Sequence, residues 1–203
     1  MTTINFSSIT IGWVAITTGI VGLFGLAFII LLFTVGQPFG TLNDICIGLT
    51  AISSVVLVWM LYPQYHAQSP LLGKVTFVIA MFGAILVVVG SAFAISGVKG
   101  WFLSGLYMAA GNALIGLWAL GLSYSALRDN SLSHGLVIFG LVSGVILALG
   151  LVTIPGIFRG IDPQEYELTL FNYVWWASSL GYLALYPTWC IWLGRVILSS
   201  SAR

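Results

Sequence analysis

Residues 101–127 read WFLSGLYMAAGNALIGLWALGLSYSAL, an apolar run of 27 residues without a single charge. As a helix rising about 1.5 Å per residue, it is long enough to cross the roughly 30 Å hydrocarbon core of a bilayer. Asn112 lies near its middle. An amide at that depth must find a partner or cost free energy. The stretch therefore predicts a membrane-spanning helix with Asn112 turned toward protein.

The rest of the chain agrees. Only 5% of the 203 residues are charged and 60% are hydrophobic, whereas soluble domains carry about 25% charged residues. A soluble fold so poor in charge would expose large apolar patches, so lipid must be the solvent for most of the outer surface. Six basic residues scattered over the chain make no electrostatic footprint for nucleic acid. Cys46 and Cys190 fall inside apolar runs without C-x-x-C spacing and are expected to be packing residues. The leader MTTINFSSIT has no basic side chain, and the apolar run after it is longer than the roughly 7–15 residues of a signal-peptide core. It is read as a retained first span.

The expected fold class is all-α, a polytopic integral membrane protein with six transmembrane helices arranged as three helical hairpins. Residues 1–203 form one transmembrane domain, with spans at about 11–35, 42–62, 72–95, 101–127, 135–154 and 171–198. Pro38, Pro63 and Pro155 are expected to end runs or kink them, and Pro187 to kink the last span near Tyr186. The link 63–73 is polar by the standards of this chain, and 156–170 is an acidic loop with Asp162, Glu165 and Glu167. Asp162-Pro163 followed by Glu165 suggests a short surface helix there, with Tyr166 and Leu168 turned inward.

Glycines mark expected contact faces. Gly12, Gly19, Gly22 and Gly25 make a thin face on the first span. Gly121 and Ser125 make one small-xxx-small pair on the fourth. Gly140, Gly144 and Ala148 repeat at intervals of four on the fifth, a surface for close packing on another helix, on a membrane-protein partner or in a homo-oligomer. Apart from the lipid bilayer itself, no other partner is indicated.

Six spans put both termini on one side. With the termini in the cytoplasm, Lys74, Arg128, Arg195 and Arg203 lie inside and Lys99 and Arg159 outside, the asymmetry of the positive-inside rule. The expected location is the cell membrane, with the acidic loop outside. Trp59, Tyr62, Trp189 and Trp192 would form the inner aromatic belt; Trp101, Tyr107, Tyr166 and Tyr173 would form the outer one.

Each even span carries an asparagine in its first half: Asn43, Asn112 and Asn172. With glycine-rich turns between the members of each pair, this suggests a threefold hairpin repeat. Asn43 and Asp44 have an ordinary reading as a helix cap and a dipole partner. They have a functional one too: Asn43, Asp44, Tyr107, Asn112 and Asn172 would line a polar, ligand-binding pocket open to the outer face. The ordinary reading of Asn112 is a bond to a backbone carbonyl or a tie between helices.

Catalytic residues are scarce. His66 and His134, with Asp129, are the weak candidates for a base acting on lipid. Without a third His, Cys or carboxylate beside them, no metal site is expected, and no cofactor is indicated. The HExxH, Walker and dinucleotide-binding motifs are missing. Proton-driven pumps use buried ionisable relays, and only Asp44 could begin one. The sequence thus favours a non-catalytic membrane protein, either an accessory subunit of a membrane complex or a binding module for lipid or a small apolar ligand. A facilitated small-solute transporter and a lipid-modifying enzyme are the alternatives.

Overall fold

The computed structural model describes residues 6–161 and 170–201. It is all-α. The helices are α1 (Ser8–Thr34), α2 (Phe39–Gln68), α3 (Pro70–Ser96), α4 (Trp101–Asp129), α5 (His134–Ala148), α6 (Ile154–Arg159), α7 (Leu170–Leu180) and α8 (Tyr186–Ser201). A 3₁₀ segment, Leu149–Thr153, joins α5 to α6, and a π segment, Gly181–Leu185, joins α7 to α8. Five helical rods are long and apolar enough to cross a membrane, the fifth being the composite His134–Arg159. The sixth rod is α7, the π segment and α8 in unbroken succession. The chain is a polytopic membrane protein.

Rods adjacent in sequence are adjacent in space, and α8 packs on α1 to close the ring. The innermost rod is α4: 72% of its most apolar window is buried, against 22% for α1. The outer face carries Trp13, Phe24, Phe82 and Ile85, each more than half exposed, while many small polar side chains are buried. This is the reverse of a soluble domain and suits a hydrocarbon solvent. Most of the buried hydroxyls are satisfied within their own helix: Thr18 donates to the Val14 carbonyl, Thr50 to Cys46, Ser54 to Thr50 and Ser143 to Phe139.

Glycine sets the helix spacing, because contact between apolar helices in lipid rests on close van der Waals approach. A Cβ on Gly111 would strike the Gly83 carbonyl and Val87, and a Cβ on Gly83 would strike the Gly111 carbonyl. The α3 and α4 backbones therefore touch. The same reciprocity joins Gly12 of α1 to Gly194 of α8, and Gly116 of α4 to Gly144 of α5. Gly19 and Gly22 abut Pro187, so the glycine face of α1 is a seat for the sixth rod. Gly140 abuts Ser123 and Trp189. Gly140 and Gly144 are thus engaged within the chain, and a partner using that face would have to displace α4. Gly121 meets Tyr65 and Thr76, not a glycine or serine partner.

Pro38 stands at the turn after the first span, as expected, but Pro63 and Pro155 sit within rods. Pro63 does not end the second span, since α2 runs through it to Gln68. The polar link shrinks to Ser69, and Pro70 opens α3 in the first turn, where its missing N–H is not needed. Pro155 also falls in a first turn, that of α6, so the fifth span continues to Arg159 after the 3₁₀ segment tightens it. That leaves residues 154–159 helical rather than part of a loop. The Thr153 hydroxyl donates to the Leu106 carbonyl of α4 at 3.2 Å, tying the irregular segment to the innermost rod. Ahead of Pro187 the expected disturbance is a π turn, in which the Tyr186 N–H donates to the Gly181 carbonyl five residues back. Residues 162–169, with Asp162, Pro163, Glu165, Tyr166, Glu167 and Leu168, lie outside the described residues, as does Arg203.

The residues expected in the aromatic belts divide by exposure. Trp59, Trp192, Trp101 and Tyr173 are exposed to the surroundings. Trp189 is not. It is 1% exposed, stacked on Tyr186 and edge-on to Trp118 in the core.

Candidate functional site

Three stripes converge inside the ring. On α4 the stripe is Trp101, Gly105, Met108 and Asn112. On α2 it runs from Asn43 and Asp44 through Ile47 and Thr50. On the sixth rod it is Trp175, Ser179, Tyr182 and Leu183. Spacings of three and four keep each stripe on one helix face. Between them lies a cavity of about 30 Å³ with Asp44 in its wall. Below it a second, of about 10 Å³, is lined by Gly22, Thr50 and Asn112, and Ile47, Tyr182 and Leu183 border both. A single water needs about 10–15 Å³ of such space. The upper cavity therefore holds a water-sized group with some room, and the lower one is at the limit.

The upper cavity lies near one end of the bundle. Trp101 is the first residue of α4, and Asp44 is about 8 Å along the axis from the start of α2. Four aromatic side chains, Trp101, Trp175, Trp176 and Tyr182, stand in its walls. Trp101 meets Trp175 edge-on at 5.6 Å between ring centroids, and Trp176 lies 5.0 Å from Trp175. Gly105 makes room for Trp175, since a Cβ there would come within 3.0 Å of the indole. Trp175 is 3% exposed and its Nε1–H, buried at the wall, has no acceptor. The Ser179 hydroxyl donates to the Trp175 carbonyl at 2.9 Å.

Asn43 does not cap α2. Pro38 occupies the cap position, and the Asn43 amide, 4% exposed, donates to the Gly25 carbonyl of α1 at 2.8 Å. The absence of a side chain at Gly25 allows that approach. Asp44 is 7% exposed and has no hydrogen bond and no counter-charge among the described residues; the polar group that it acts on electrostatically is the neutral phenol of Tyr182, in the same wall. It stands in the second turn of the helix, past the first turn where the dipole acts most strongly.

The other sequence candidates are distributed as follows. Asn112, 5% exposed, donates to the Met108 carbonyl of its own helix at 2.9 Å and borders only the lower cavity. Tyr107 does not line either cavity. Its ring packs edge-on against Phe93 at 5.6 Å in the α3–α4 contact. Asn172 is buried in the first turn of α7 and is not a lining residue. Asn43 and Asn112 thus occupy chemically different settings, one bonded across to a neighbouring helix and one to its own. His66 stacks on Tyr62, with Nδ1 3.3 Å from the phenol oxygen. His134 and Asp129 are exposed on either side of the α4–α5 turn, and among the described residues no hydrogen bond or ion pair joins them to each other or to His66. Among the described residues no three His, Cys, Asp or Glu side chains come together to hold a metal ion.

Sequence reasoning missed Trp175, Trp176, Ser179 and Tyr182, and it placed Trp101 only in an interfacial belt. The available signal was the three-and-four spacing of Trp175, Ser179 and Tyr182, which matches that of Trp101, Gly105, Met108 and Asn112.

Fold and site together define an integral membrane protein with a small pocket whose wall includes one carboxylate and four aromatic side chains. Comparison with family models, with curated proteins and with solved structures yields no significant match.

Proposed function

We propose that this chain is a non-catalytic membrane protein that binds a small ligand group in the Asp44 pocket, entered from the end of the bundle where Trp101 and Trp176 are partly exposed. The observation that carries this reading is Asp44 itself. A carboxylate buried without a partner is costly, and here it borders an open volume instead of packed side chains. A purely structural role would be served as well by an apolar residue.

The test is isolation in gentle detergent, identification of the lipids, small molecules and proteins that accompany the chain, and measurement of thermal stability when each compound is added back. At least one compound should raise the melting temperature of the wild type and not that of Asp44→Asn. Without ligand, Asp44→Asn should be as stable as the wild type or more so, because an unpaired charge has been removed. Asn112→Leu should bind normally and lose at most about 0.6–2 kcal/mol, since its amide bonds only its own helix. If the stabilising compounds act equally on Asp44→Asn, the pocket is not the site. Recovery of a larger complex would make the protein an accessory subunit as well.

A second reading, facilitated transport of a small solute, is favoured by the polar seam below the pocket. Thr50 and Asn112 border the lower cavity, and beyond it the Tyr186 hydroxyl donates to Ser54 at 2.9 Å. Solute flux into proteoliposomes that is lost in Asp44→Asn would favour it.

We place both termini in the cytoplasm and the pocket at the outer face of the cell membrane, from the distribution of basic residues. Cysteine substituted for Lys99, in the exposed α3–α4 turn, should react with an impermeant thiol reagent on intact cells. Reaction only after permeabilisation would invert this orientation.

A further inference from the structure

We infer that the group bound beside Asp44 is a primary ammonium, as carried by ethanolamine or by the headgroup of an ethanolamine phospholipid. The inference rests on the proposed role of the pocket and gives its ligand a chemistry.

Four observations converge. The first is the buried carboxylate, which has no hydrogen bond and no counter-charge among the described residues and only the neutral Tyr182 phenol as an electrostatic neighbour. Its counter-charge does not come from this chain's described residues. Lys99 and Arg159, the basic residues at the same end, are exposed and do not pair with it, and Lys74, Arg128 and Arg195 lie toward the opposite end. The second is the wall of three indoles, Trp101, Trp175 and Trp176. Indole is the best side-chain partner for a cation, and the attraction grows where water is excluded. An anion would be repelled by the carboxylate. The third is size. A space of about 30 Å³, against the roughly 10–15 Å³ on the same measure that one water needs, takes a group of one or two non-hydrogen atoms and so suits –NH₃⁺ better than a nitrogen carrying four methyl groups. The fourth is the unpaired Nε1–H of Trp175 at the same wall. It needs an oxygen, which an amino alcohol or its phosphoester supplies close to the ammonium. A bare monatomic cation would leave that donor orphaned.

Position adds to the argument. The pocket opens at the end of the bundle where Trp101, Trp176 and Tyr173 are 38%, 41% and 60% exposed, and aromatic residues of this kind sit at headgroup depth. Both a lipid headgroup and a dissolved amine can reach that level.

The experiment uses the full chain in phosphatidylcholine nanodiscs. Ethanolamine hydrochloride, tetramethylammonium chloride and sodium chloride are compared at equal ionic strength by melting temperature and affinity, and a parallel set of discs contains phosphatidylethanolamine. Ethanolamine in the first discs, or phosphatidylethanolamine in the second, should raise the melting temperature. A rise with ethanolamine identifies a dissolved amine as ligand; a rise only with the lipid identifies a headgroup. Asp44→Asn should weaken either by about 10- to 100-fold, the loss of a hydrogen bond to a charged group. Trp101→Leu should weaken it by about 2- to 30-fold, and Trp101→Phe should recover most of that loss. Equal shifts with sodium or tetramethylammonium would overturn the inference, as would a shift that survives Asp44→Asn or no shift with any amine. If an uncharged compound stabilises the protein through Asp44 while amines do not, the pocket stands and the ammonium assignment falls.

Discussion

Gly111→Leu is expected to lower the melting temperature in detergent more than any lipid-facing substitution on the same helix pair. At Gly111 the α4 backbone lies against the backbone of Gly83, and Val87 closes the remaining space. No side-chain rearrangement can make room, so the two rods must separate. Overpacking typically costs about 1–3 kcal/mol, and the rigid backbone on the far side places this case at the upper end. For a chain of this size about 3 kcal/mol corresponds to roughly 6–12 °C. Ile85→Leu is the control. Ile85 is 59% exposed on α3, and its replacement should leave the melting temperature unchanged. If Gly111→Leu melts like the wild type, α3 and α4 do not touch there.

Trp189 should show an effect as large, with a twist in its chemistry. Trp189→Ala empties a site that is 1% exposed and stacked on Tyr186 at 5.9 Å. A loss of about 3–5 kcal/mol is expected, or roughly 6–20 °C. Trp189→Phe should lose far less, within about 1 kcal/mol of the wild type. The indole Nε1–H is buried without an acceptor, and removing an unsatisfied donor offsets part of the lost packing. A fall as deep as that of the alanine variant would show that Nε1–H has found a partner. The nearby Ser123 hydroxyl, which crowds the same glycine, Gly140, is the first group to examine.

Much of the fold was readable because lipid imposes simple demands. Run length and hydropathy located the helices, and glycine spacing located the faces on α1 and α5 that touch other helices. The prolines misled because their effect depends on what receives the freed backbone groups. In a membrane bundle, neighbouring helices and local 3₁₀ or π turns take them up, so Pro63 and Pro155 sit inside continuous rods.

The pocket was readable only from its polar side. Asn43 and Asp44 stood out against apolar sequence. Tyr107 was a poor companion for Asn112, since five residues at 100° each leave them about 140° apart on the helix; four, seven and eleven residues back lie Met108, Gly105 and Trp101, which do share the face. The indoles were hidden by their second meaning, because a tryptophan near a helix end reads first as an anchor at the interface. Only the approach of α7 to α4 turns Trp101 and Trp175 into the walls of one chamber.

The π turn at Gly181–Leu185 gives the sixth rod a change of phase that a plain α-helix lacks. In an unbroken helix the azimuth of Trp175 would be dictated by that of Gly194, which is locked against Gly12. Five-residue hydrogen bonding inserts a phase step between them. The half of the rod that walls the pocket is therefore set at an azimuth different from the one that a plain α-helix docked on α1 would give it. That offset is what brings Trp175, Ser179 and Tyr182 to the cavity while Gly194 stays seated on Gly12.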